Sequence, residues 1–320
     1  MSERINIAII GAGAMANRVH YPSLASFDDV EIAGICDLNP ERLNETADKY
    51  GITGRYSDYR KMVEEVAPAG VWAIGPPHHM VDIWVWCLQQ GLNLYIEKPM
   101  GLSLHQARML ATLAEEKQVL TQVSFQRRTC PMVCRLRDQC LERGPIVHAV
   151  CEFYKSAITP MWGATDHMHD DGVHALDTIR WMCGGEAVRV QSVTRAVQVP
   201  DLNFFGALIE FDNGATGLML NSWTSGRRTF RVQMHAPNIC AEAEHETVGK
   251  LYADGDTEGT VFDTKEVAGS DEFHVYGGFC AKNREFVDCL KSGRLPGSHF
   301  GDALKTMELA ETILAQGMLG

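Results

Sequence analysis

The sequence has no long apolar run, no closely paired cysteines and an excess of acidic over basic residues. No stretch of its 320 residues approaches the roughly 20 apolar residues that a membrane span requires. Its ten cysteines are scattered without a Cys-x-x-Cys pair, and no secretory signal opens the chain. We therefore expect reduced thiols in the cytoplasm rather than a disulfide framework. The net charge of −12 argues against nucleic acid or an anionic membrane as the main partner.

A glycine-rich motif near the start of the chain is the first feature with a chemical meaning. The apolar, β-branched run Ile5–Ile10 predicts a buried strand, and a Gly-x-Gly-x-x-Ala motif follows it directly. The first glycine permits a tight turn, the second lets a pyrophosphate approach the backbone, and the alanine permits close packing of helix on strand. Free N–H groups of the following helix would hold the phosphates. We predict that a dinucleotide binds here, through Gly11, Gly13, Ala14, Met15 and Ala16.

An acidic residue ends the next predicted strand. Val30–Cys36 is again apolar, and Asp37 follows it, close to the distance of about 20 residues that separates the glycine-rich motif from the ribose-binding acid of dinucleotide-binding folds. A carboxylate at this place accepts hydrogen bonds from both ribose hydroxyls and repels a 2′-phosphate. Asp37 could instead only cap the next turn. We favour the ribose role, which predicts NAD as the cofactor in preference to NADP.

A third apolar run, Leu92–Ile96, ends in Glu97-Lys98-Pro99. The run is short and β-prone, so it predicts a buried strand, and capping-box spacing at Ser103 predicts that a helix follows. In α/β sheets, ligands bind in the crevice at the carboxyl ends of the strands. Lys98, which the following proline restricts to extended geometry, is therefore predicted to be a fixed donor and cation aimed at a bound molecule.

A second cluster of polar residues lies near the middle of the chain. Asp170 and His174 are spaced i, i+4, and His174 and Asp177 are spaced i, i+3, so on a helix all three share one face. An imidazole with an ordinary pKa of ~6.5 takes or returns a proton near neutral pH. Asp170 could orient it, with Asp177 as an anchor behind. The nearby His167-x-His169, with carboxylates, also allows a zinc site. Because no cysteine pair accompanies it, we favour a site without metal.

These motifs resemble, in order and spacing, those of the glucose–fructose oxidoreductase / inositol dehydrogenase family (Gfo/Idh/MocA). The resemblance runs from the first strand to the last helix. It implies that His174 is the general base or acid, that Lys98 positions the reacting hydroxyl and stabilises the developing alkoxide, and that Asp170 assists. It also implies further cofactor contacts from Gly75, Pro76, Glu97, Lys98 and Trp162, and substrate contacts from Lys98, Arg127, His169, Asp170 and His174.

The sequence departs from the family pattern at two places. The family usually has Thr-Pro-x-x-x-His beside the nicotinamide ribose, where this chain has Gly75 for the threonine and Met80 for the histidine. The family also has small glycines just before the aspartate, where this chain has Asp166-His167-Met168-His169. We expect these histidines to narrow or specialise the substrate pocket.

The order of predicted elements, together with the resemblance, implies an α/β protein of two domains. Residues 1–123 would form a Rossmann NAD-binding domain. Residues 124–320 would form an α+β domain for substrate binding and oligomerisation, with a largely antiparallel open sheet. One face of that sheet would pair with a second subunit in a homodimer or homotetramer, and a helix at 302–314 would pack back on the first domain. The predicted strands of the second domain are Ile146–Phe153, Val188–Val199, Phe204–Asp212, Ala215–Ser222, Thr229–His235 and Lys250–Asp254.

The function that these observations predict is hydride transfer between NAD and a secondary hydroxyl of a sugar, cyclitol or related polyol. Two alternatives stay open. Some members of the family use tightly held NAD for transient oxidation followed by elimination of a glycosidic bond, and stoichiometric release of NADH would distinguish the two reactions. Others are sugar-sensing regulators without catalysis, although the intact Lys98, Asp170 and His174 count against that role here.

Overall fold

The computed structural model describes residues 4–161 and 166–319, and the chain divides into two compact units. The first unit contains the residues up to Ser124 together with Phe273–Val275 and Phe279–Leu304. The second contains Phe125–Glu272, Tyr276–Gly278 and the residues from Lys305 onward. The sequence predicts one boundary, between residues 123 and 124. The structure differs, because a later segment returns to the first unit.

Six strands of the described chain form the sheet of the first unit: β1 (Ile5–Ile10), β2 (Val30–Cys36), β3 (Arg55–Tyr56), β4 (Gly70–Ala73), β5 (Leu94–Ile96) and β6 (Thr121–Val123). They are parallel and lie in the order β3-β2-β1-β4-β5-β6. This is the doubly wound Rossmann order, in which ligands bind where the strand order reverses, here between β1 and β4. Five helices lie between these strands: α1 (Tyr21–Ala25), α2 (Pro40–Tyr50), α3 (Tyr59–Val66), α4 (Pro77–Gln89) and α5 (Leu104–Lys117).

Eight strands of the described chain form the sheet of the second unit: β7 (His148–Ser156), β8 (Ala187–Arg195), β9 (Phe204–Phe211), β10 (Thr216–Ser222), β11 (Thr224–Ala236), β12 (Ile239–Glu244), β13 (Val248–Ala253) and β14 (Thr260–Asp263). Their order is β14-β13-β12-β11-β7-β10-β9-β8. Strands β7 and β10 are parallel, and the other described pairs are antiparallel. This confirms the predicted largely antiparallel sheet. The later helices are α6 (Pro131–Leu141), α7 (Val173–Cys183), α8 (Thr264–Ala268), α9 (Phe273–Tyr276), α10 (Phe279–Ser292) and α11 (Phe300–Leu319).

Helix α10 explains why the chain returns to the first unit. Its Phe286 packs edge-on against Trp72 of β4, with ring centroids 5.2 Å apart, and Trp72 stacks on Tyr95 of β5 at 5.7 Å. All three side chains are fully buried, so α10 completes a core that the sheet alone would leave open. Helix α11, by contrast, divides: its first five residues lie with the first unit and the remainder with the second. The prediction that a helix at 302–314 packs back on the first domain stays a prediction.

The two faces of the second sheet differ in burial. Residues that face α7, such as Met219 and Phe153, are buried. On the opposite face, Leu218 lies between its partners Leu208 and Val150 on the neighbouring strands. We call these three residues and their surroundings the outer face. Leu208 and Leu218 are 38% and 46% exposed, so this face presents apolar area to the surroundings of the chain. No helix of the described residues is both long and apolar enough to cross a membrane.

Candidate active site

The glycine-rich turn after β1 needs its two glycines for different reasons. Gly11 has a φ of +108°, and a Cβ atom on it would lie 2.0 Å from the carbonyl oxygen of Ile74, so a larger residue does not fit. A Cβ atom on Gly13 would meet no atom within 4 Å. The space beside Gly13 is therefore open, as the approach of a pyrophosphate requires, and the next residues, Ala14 and Met15, are exposed. The turn fits a dinucleotide.

Asp37 ties the end of β2 to this turn. One carboxylate oxygen accepts a hydrogen bond from the backbone N–H of Ala12 at 2.7 Å, and the other accepts one from Asn39 at 2.8 Å. The guanidinium of the exposed Arg42 lies 3.3 Å from the second oxygen. The acid thus stands where the sequence predicts a ribose-binding carboxylate, beside the turn that would hold the phosphates.

The two residues after β4 that depart from the family pattern, Gly75 and Met80, lie next to each other in the structure. A Cβ atom on Gly75 would lie 2.9 Å from the sulfur of Met80. The methionine side chain, 5% exposed, therefore occupies the space that a threonine at position 75 would need. Pro76 still precedes the first residue of α4 and remains exposed.

Lys98 directly follows β5 and Glu97, with a cis peptide bond to Pro99. The lysine is partly buried, whereas Glu97 is 7% exposed. An oxygen of the Glu97 carboxylate lies 2.9 Å from Nε2 of His20. The sequence predicts Glu97 as a cofactor contact; the structure shows that one of its oxygens is already bound within the protein.

The predicted helix around Asp170 is not a uniform α-helix. Met168–Gly172 forms a π-helical turn, and α7 begins at Val173. A Cβ atom on Gly172 would lie 2.9 Å from the sulfur of Met168, so the glycine permits this tight packing. Such π-turns are frequent at functional sites, because they re-aim side chains out of the regular α spacing. Asp170 therefore lies in the π-helical turn and His174 in α7, and the shared face predicted for the two residues stays a prediction.

His174 itself lies near the start of α7 and is 6% exposed. Its ring meets the ring of Phe125 edge-on, with centroids 6.4 Å apart. The hydroxyl of Thr178 donates to the carbonyl oxygen of His174 at 2.7 Å, which fixes this turn of the helix. The imidazole is thus buried beside an aromatic ring, on a helical turn that the Thr178 hydroxyl fixes.

Asp177 forms a buried ion pair rather than an anchor for His174. Its Oδ1 and Oδ2 lie 2.5 and 2.7 Å from two nitrogens of Arg128, and the hydroxyl of Thr306 donates to Oδ1 at 3.2 Å. The side chains of Arg128 and Asp177 are 8% and 1% exposed. Both oxygens of Asp177 therefore serve packing inside the second unit, which differs from the role predicted from its helical spacing.

Arg127, which the family resemblance implies as a substrate contact, is buried against aromatic rings. It is 4% exposed, and its guanidinium lies 4.0 Å from the centre of the Phe230 ring and 5.9 Å from that of Phe153. Burial, together with the charge of Arg228, lowers its pKa to about 10. This burial argues against direct contact of Arg127 with a substrate.

His169 lies between two carboxylates. Its Nδ1 is 2.9 Å from Asp166, and its Nε2 is 3.4 Å from Glu311 of α11. Burial alone would lower the pKa of His169, but the hydrogen bond to Asp166 and the charges of both carboxylates outweigh it and raise the pKa. When it is protonated, His169 pairs with a carboxylate on each side and so joins the π-helical turn to α11 inside the second unit. The substrate contact predicted for His169 is untested.

We expect His169 to make the stability of the protein depend on pH. Because its folded-state pKa lies above the unfolded value of ~6.5, its stabilisation is fully present below that value and is lost as pH rises through the folded-state pKa. Urea unfolding should show a larger loss of stability from about pH 6 to about pH 9 in the wild type than in His169→Gln. Equal losses in the two proteins would contradict this. His105→Gln, an exposed histidine on α5, is the control.

His167 packs against an aromatic ring. Its imidazole stacks on the indole of Trp223 with centroids 4.8 Å apart, and burial lowers the pKa of His167 despite the nearby aspartates. Within residues 4–161 and 166–319, no three His, Cys, Asp or Glu side chains are arranged to hold a metal ion. Trp162, predicted to lie near the nicotinamide, falls outside the described residues.

Two functional details lay beyond sequence reasoning. His20, the partner of Glu97, is fully buried and 77 residues away in sequence. The sequence carries no signal for it, because Asn17 and Arg18 in the same short segment are polar as well. The sequence also does not show which of the neighbouring residues Arg127 and Arg128 forms the ion pair with Asp177, since the two side chains are chemically the same.

A parallel sheet with an open glycine-rich turn after its first strand and a fixed acid after its second defines a dinucleotide-binding Rossmann unit. Comparison with known proteins assigns the chain to a family. It belongs to the Gfo/Idh/MocA family: a family model described as an oxidoreductase family with an NAD-binding Rossmann fold matches residues 5–125, and the model of the GFO/IDH/MocA C-terminal domain matches residues 144–238. The protein is an NAD-binding oxidoreductase, which confirms the predicted family and cofactor.

Individual relatives agree with this assignment. A D-glucoside 3-dehydrogenase of Escherichia coli (strain K12) is 26% identical over 198 residues, which cover 59% of this chain and 56% of that protein. The scyllo-inositol 2-dehydrogenase (NAD(+)) of Bacillus subtilis (strain 168) is 22% identical over 315 residues, 92% of this chain and 89% of that protein. An oxidoreductase of Agrobacterium radiobacter, solved in complex with NAD+, L-tartaric acid and magnesium, shares the fold with a TM-score of 0.82 at 20% identity, covering 98% of this chain and 96% of that one.

Proposed function

We propose that the protein transfers a hydride between NAD and a secondary hydroxyl or ketone of a sugar, cyclitol or related polyol. The observation that carries this proposal is the place of Lys98, which directly follows β5 at the carboxyl edge of the sheet whose first turn fits a dinucleotide. The glucoside and inositol dehydrogenases among the relatives support the same class of substrate.

The residues have separate tasks in this proposal. Bound NAD supplies the acceptor or donor of the hydride, held by the turn at Gly11 and Gly13 and by Asp37. Lys98 donates a hydrogen bond to the reacting oxygen and stabilises the negative charge that develops on it. His174 takes the hydroxyl proton during oxidation and returns it during reduction, and Asp170 assists the imidazole.

A substrate screen tests the proposal. Sugars, cyclitols and polyols are offered with NAD, and their keto derivatives with NADH, while the absorbance of NADH is followed. Stoichiometric formation or consumption of NADH supports the proposed reaction. Cleavage of a glycoside without net change in NADH would instead indicate transient oxidation followed by elimination. Binding of sugars with no turnover of any of them would contradict an enzymatic function.

Cofactor preference gives a direct prediction. Asp37→Ser should weaken NAD binding and strengthen NADP binding, because the carboxylate that repels a 2′-phosphate is gone while the guanidinium of Arg42 remains beside it. Fluorescence titration with NADH and NADPH measures both affinities. Asp48→Ser removes another acid near α2, one that pairs with Arg55 at the surface, and should change neither. Tighter binding of NADPH than NADH to the unaltered protein would overturn the assignment.

We also propose that the protein is a homo-oligomer, dimer or tetramer, built on the outer face of the second sheet. Exposed apolar side chains that neighbour one another across three strands favour contact with another apolar surface. The double substitution Leu208→Asp and Leu218→Asp should lower the mass found by light scattering at micromolar concentration. Leu295→Asp, at a leucine 52% exposed in the first unit, should leave the mass unchanged. A monomer mass for the wild type would refute the proposal.

A further inference from the structure

A chain of buried polar groups runs through the first unit from Trp72 to Glu97. The indole N–H of Trp72 donates to Oδ1 of Asn283 at 2.8 Å, and Nδ1 of His20 lies 3.2 Å from the same oxygen. Nε2 of His20 then lies 2.9 Å from Oε1 of Glu97. Trp72, Asn283 and His20 are fully buried, and the side chain of Glu97 is 10% exposed. Water therefore has little access to these bonds.

The chemistry of these groups fixes where the protons are. An indole nitrogen is a donor only, so the atom of Asn283 that faces it is the oxygen. The amide nitrogen of Asn283 donates instead to the carbonyl oxygen of Phe279 at 2.7 Å, which agrees with this orientation. Nδ1 of His20 must then carry a proton, because it faces an acceptor.

The same reasoning applies on the other side of the ring. A proton must lie between Nε2 of His20 and the carboxylate of Glu97, because two bare acceptors do not approach to 2.9 Å. The hydrogen bond therefore joins His20 to Glu97, whichever of the two atoms holds the proton. In either arrangement the pair carries no net charge.

The pair connects two segments that the proposed function uses. His20 is the last residue of the π-helical turn Ala16–His20, which follows directly on the glycine-rich turn. Glu97 immediately precedes Lys98 in the chain. The ring of His20 is fixed edge-on between Tyr95 and Phe279, at 5.4 and 6.2 Å between centroids, so it has little freedom to turn.

We propose that His20 is a positioning residue: through its hydrogen bond it holds Glu97, and through Glu97 it fixes the backbone that places Lys98. His20 has no part in the proton or hydride transfer itself. This inference rests on the proposed role of Lys98 in hydride transfer.

Kinetics of three variants test the positioning role. His20→Gln and Glu97→Ala should each lower kcat by about 10²-fold, the loss typical of a catalytic group displaced by about 1 Å, while the dissociation constant of NADH changes less than about threefold. Glu97→Gln keeps the hydrogen bond, since its amide donates to Nε2 of an imidazole protonated only on Nδ1. It should therefore recover most of the kcat that Glu97→Ala loses.

The matched control is Tyr95→Phe. It removes a buried hydrogen bond, from the hydroxyl of Tyr95 to Ser124 at 3.0 Å, in the same core without touching the bonds of Glu97. It should lower the melting temperature and leave kcat unchanged. If His20→Gln and Glu97→Ala also lower the melting temperature and leave kcat unchanged, the two residues are merely structural and the proposal fails.

A spectroscopic measurement keeps the test independent of turnover and of the folding of any variant. Nitrogen-15 NMR of the wild type with labelled histidine should show Nδ1 of His20 protonated at neutral pH. An unprotonated Nδ1 would overturn the hydrogen-bond arrangement from which the positioning role is inferred. If the wild type turns over no polyol, the proposed function fails, and the nitrogen spectrum still decides the protonation of His20.

Discussion

Replacing His174 with alanine should lower kcat by about 10²–10⁴-fold, because that is the usual contribution of a positioned general base. The ring is buried and held beside Phe125, so its loss removes a proton acceptor that solvent does not easily replace. The dissociation constant of NADH should change little, since the cofactor-binding turn belongs to the first unit. Rapid-mixing kinetics on an identified polyol, with fluorescence titration of NADH, measure both quantities.

In the proposed mechanism, Lys98→Met should lower kcat as much as His174→Ala or more, because it removes the donor that would position the substrate and stabilise the alkoxide. If Lys98, Asp170 and His174 act on one substrate, the double variant of Lys98 and His174 should lose far less than the product of the single losses. Exposed residues of the same types serve as controls, namely His105→Ala and Lys61→Met. Near-normal turnover in His174→Ala would show that another group is the base.

The parts of the fold that follow from local sequence could be predicted well. The apolar runs of β1 and β2 lie at their predicted residues, and so does the cap of α5, where the Ser103 hydroxyl accepts from Gln106 N–H at 3.3 Å. Strand β12 escaped prediction, because its sequence alternates alanine with glutamate and both have low β propensity. Its burial nevertheless alternates as a strand requires, so tertiary packing overrode the local preference.

The sequence indicates candidate residues for the site, but it does not reveal how they are arranged in space. Apolar periodicity does not encode a change from α to π hydrogen bonding, so the turn at Met168–Gly172 has no signature in the sequence. The close approach of the Met80 side chain to Gly75 could not be predicted, because the sequence does not show that these two positions are neighbours in space. The bond from His20 to Glu97 joins residues far apart in the chain, which a single sequence does not reveal.

Asp177→Ala should destabilise the protein by about 3–5 kcal/mol, the usual result of removing one partner from a buried ion pair. The guanidinium of Arg128, whose side chain is 8% exposed, would remain buried with its main counterion gone. Thr306 would also lose an acceptor at 3.2 Å. Urea unfolding measures the loss as a lower midpoint. The matched control is Asp254→Ala, which breaks a solvent-exposed pair with Arg143 and should leave the midpoint nearly unchanged.

A second substitution separates a structural role of Asp177 from a catalytic one. The double variant Arg128→Met and Asp177→Leu removes both charges together, and apolar replacements of buried pairs are often nearly neutral. It should therefore regain much of the stability that Asp177→Ala loses, because no uncompensated charge remains. Folded Asp177→Ala, assayed well below its melting temperature, should keep kcat within about tenfold of the wild type, unlike His174→Ala with its expected loss of about 10²–10⁴-fold. An unchanged urea midpoint with a loss of kcat as large as that of His174→Ala would show instead that Asp177 acts on the imidazole during catalysis.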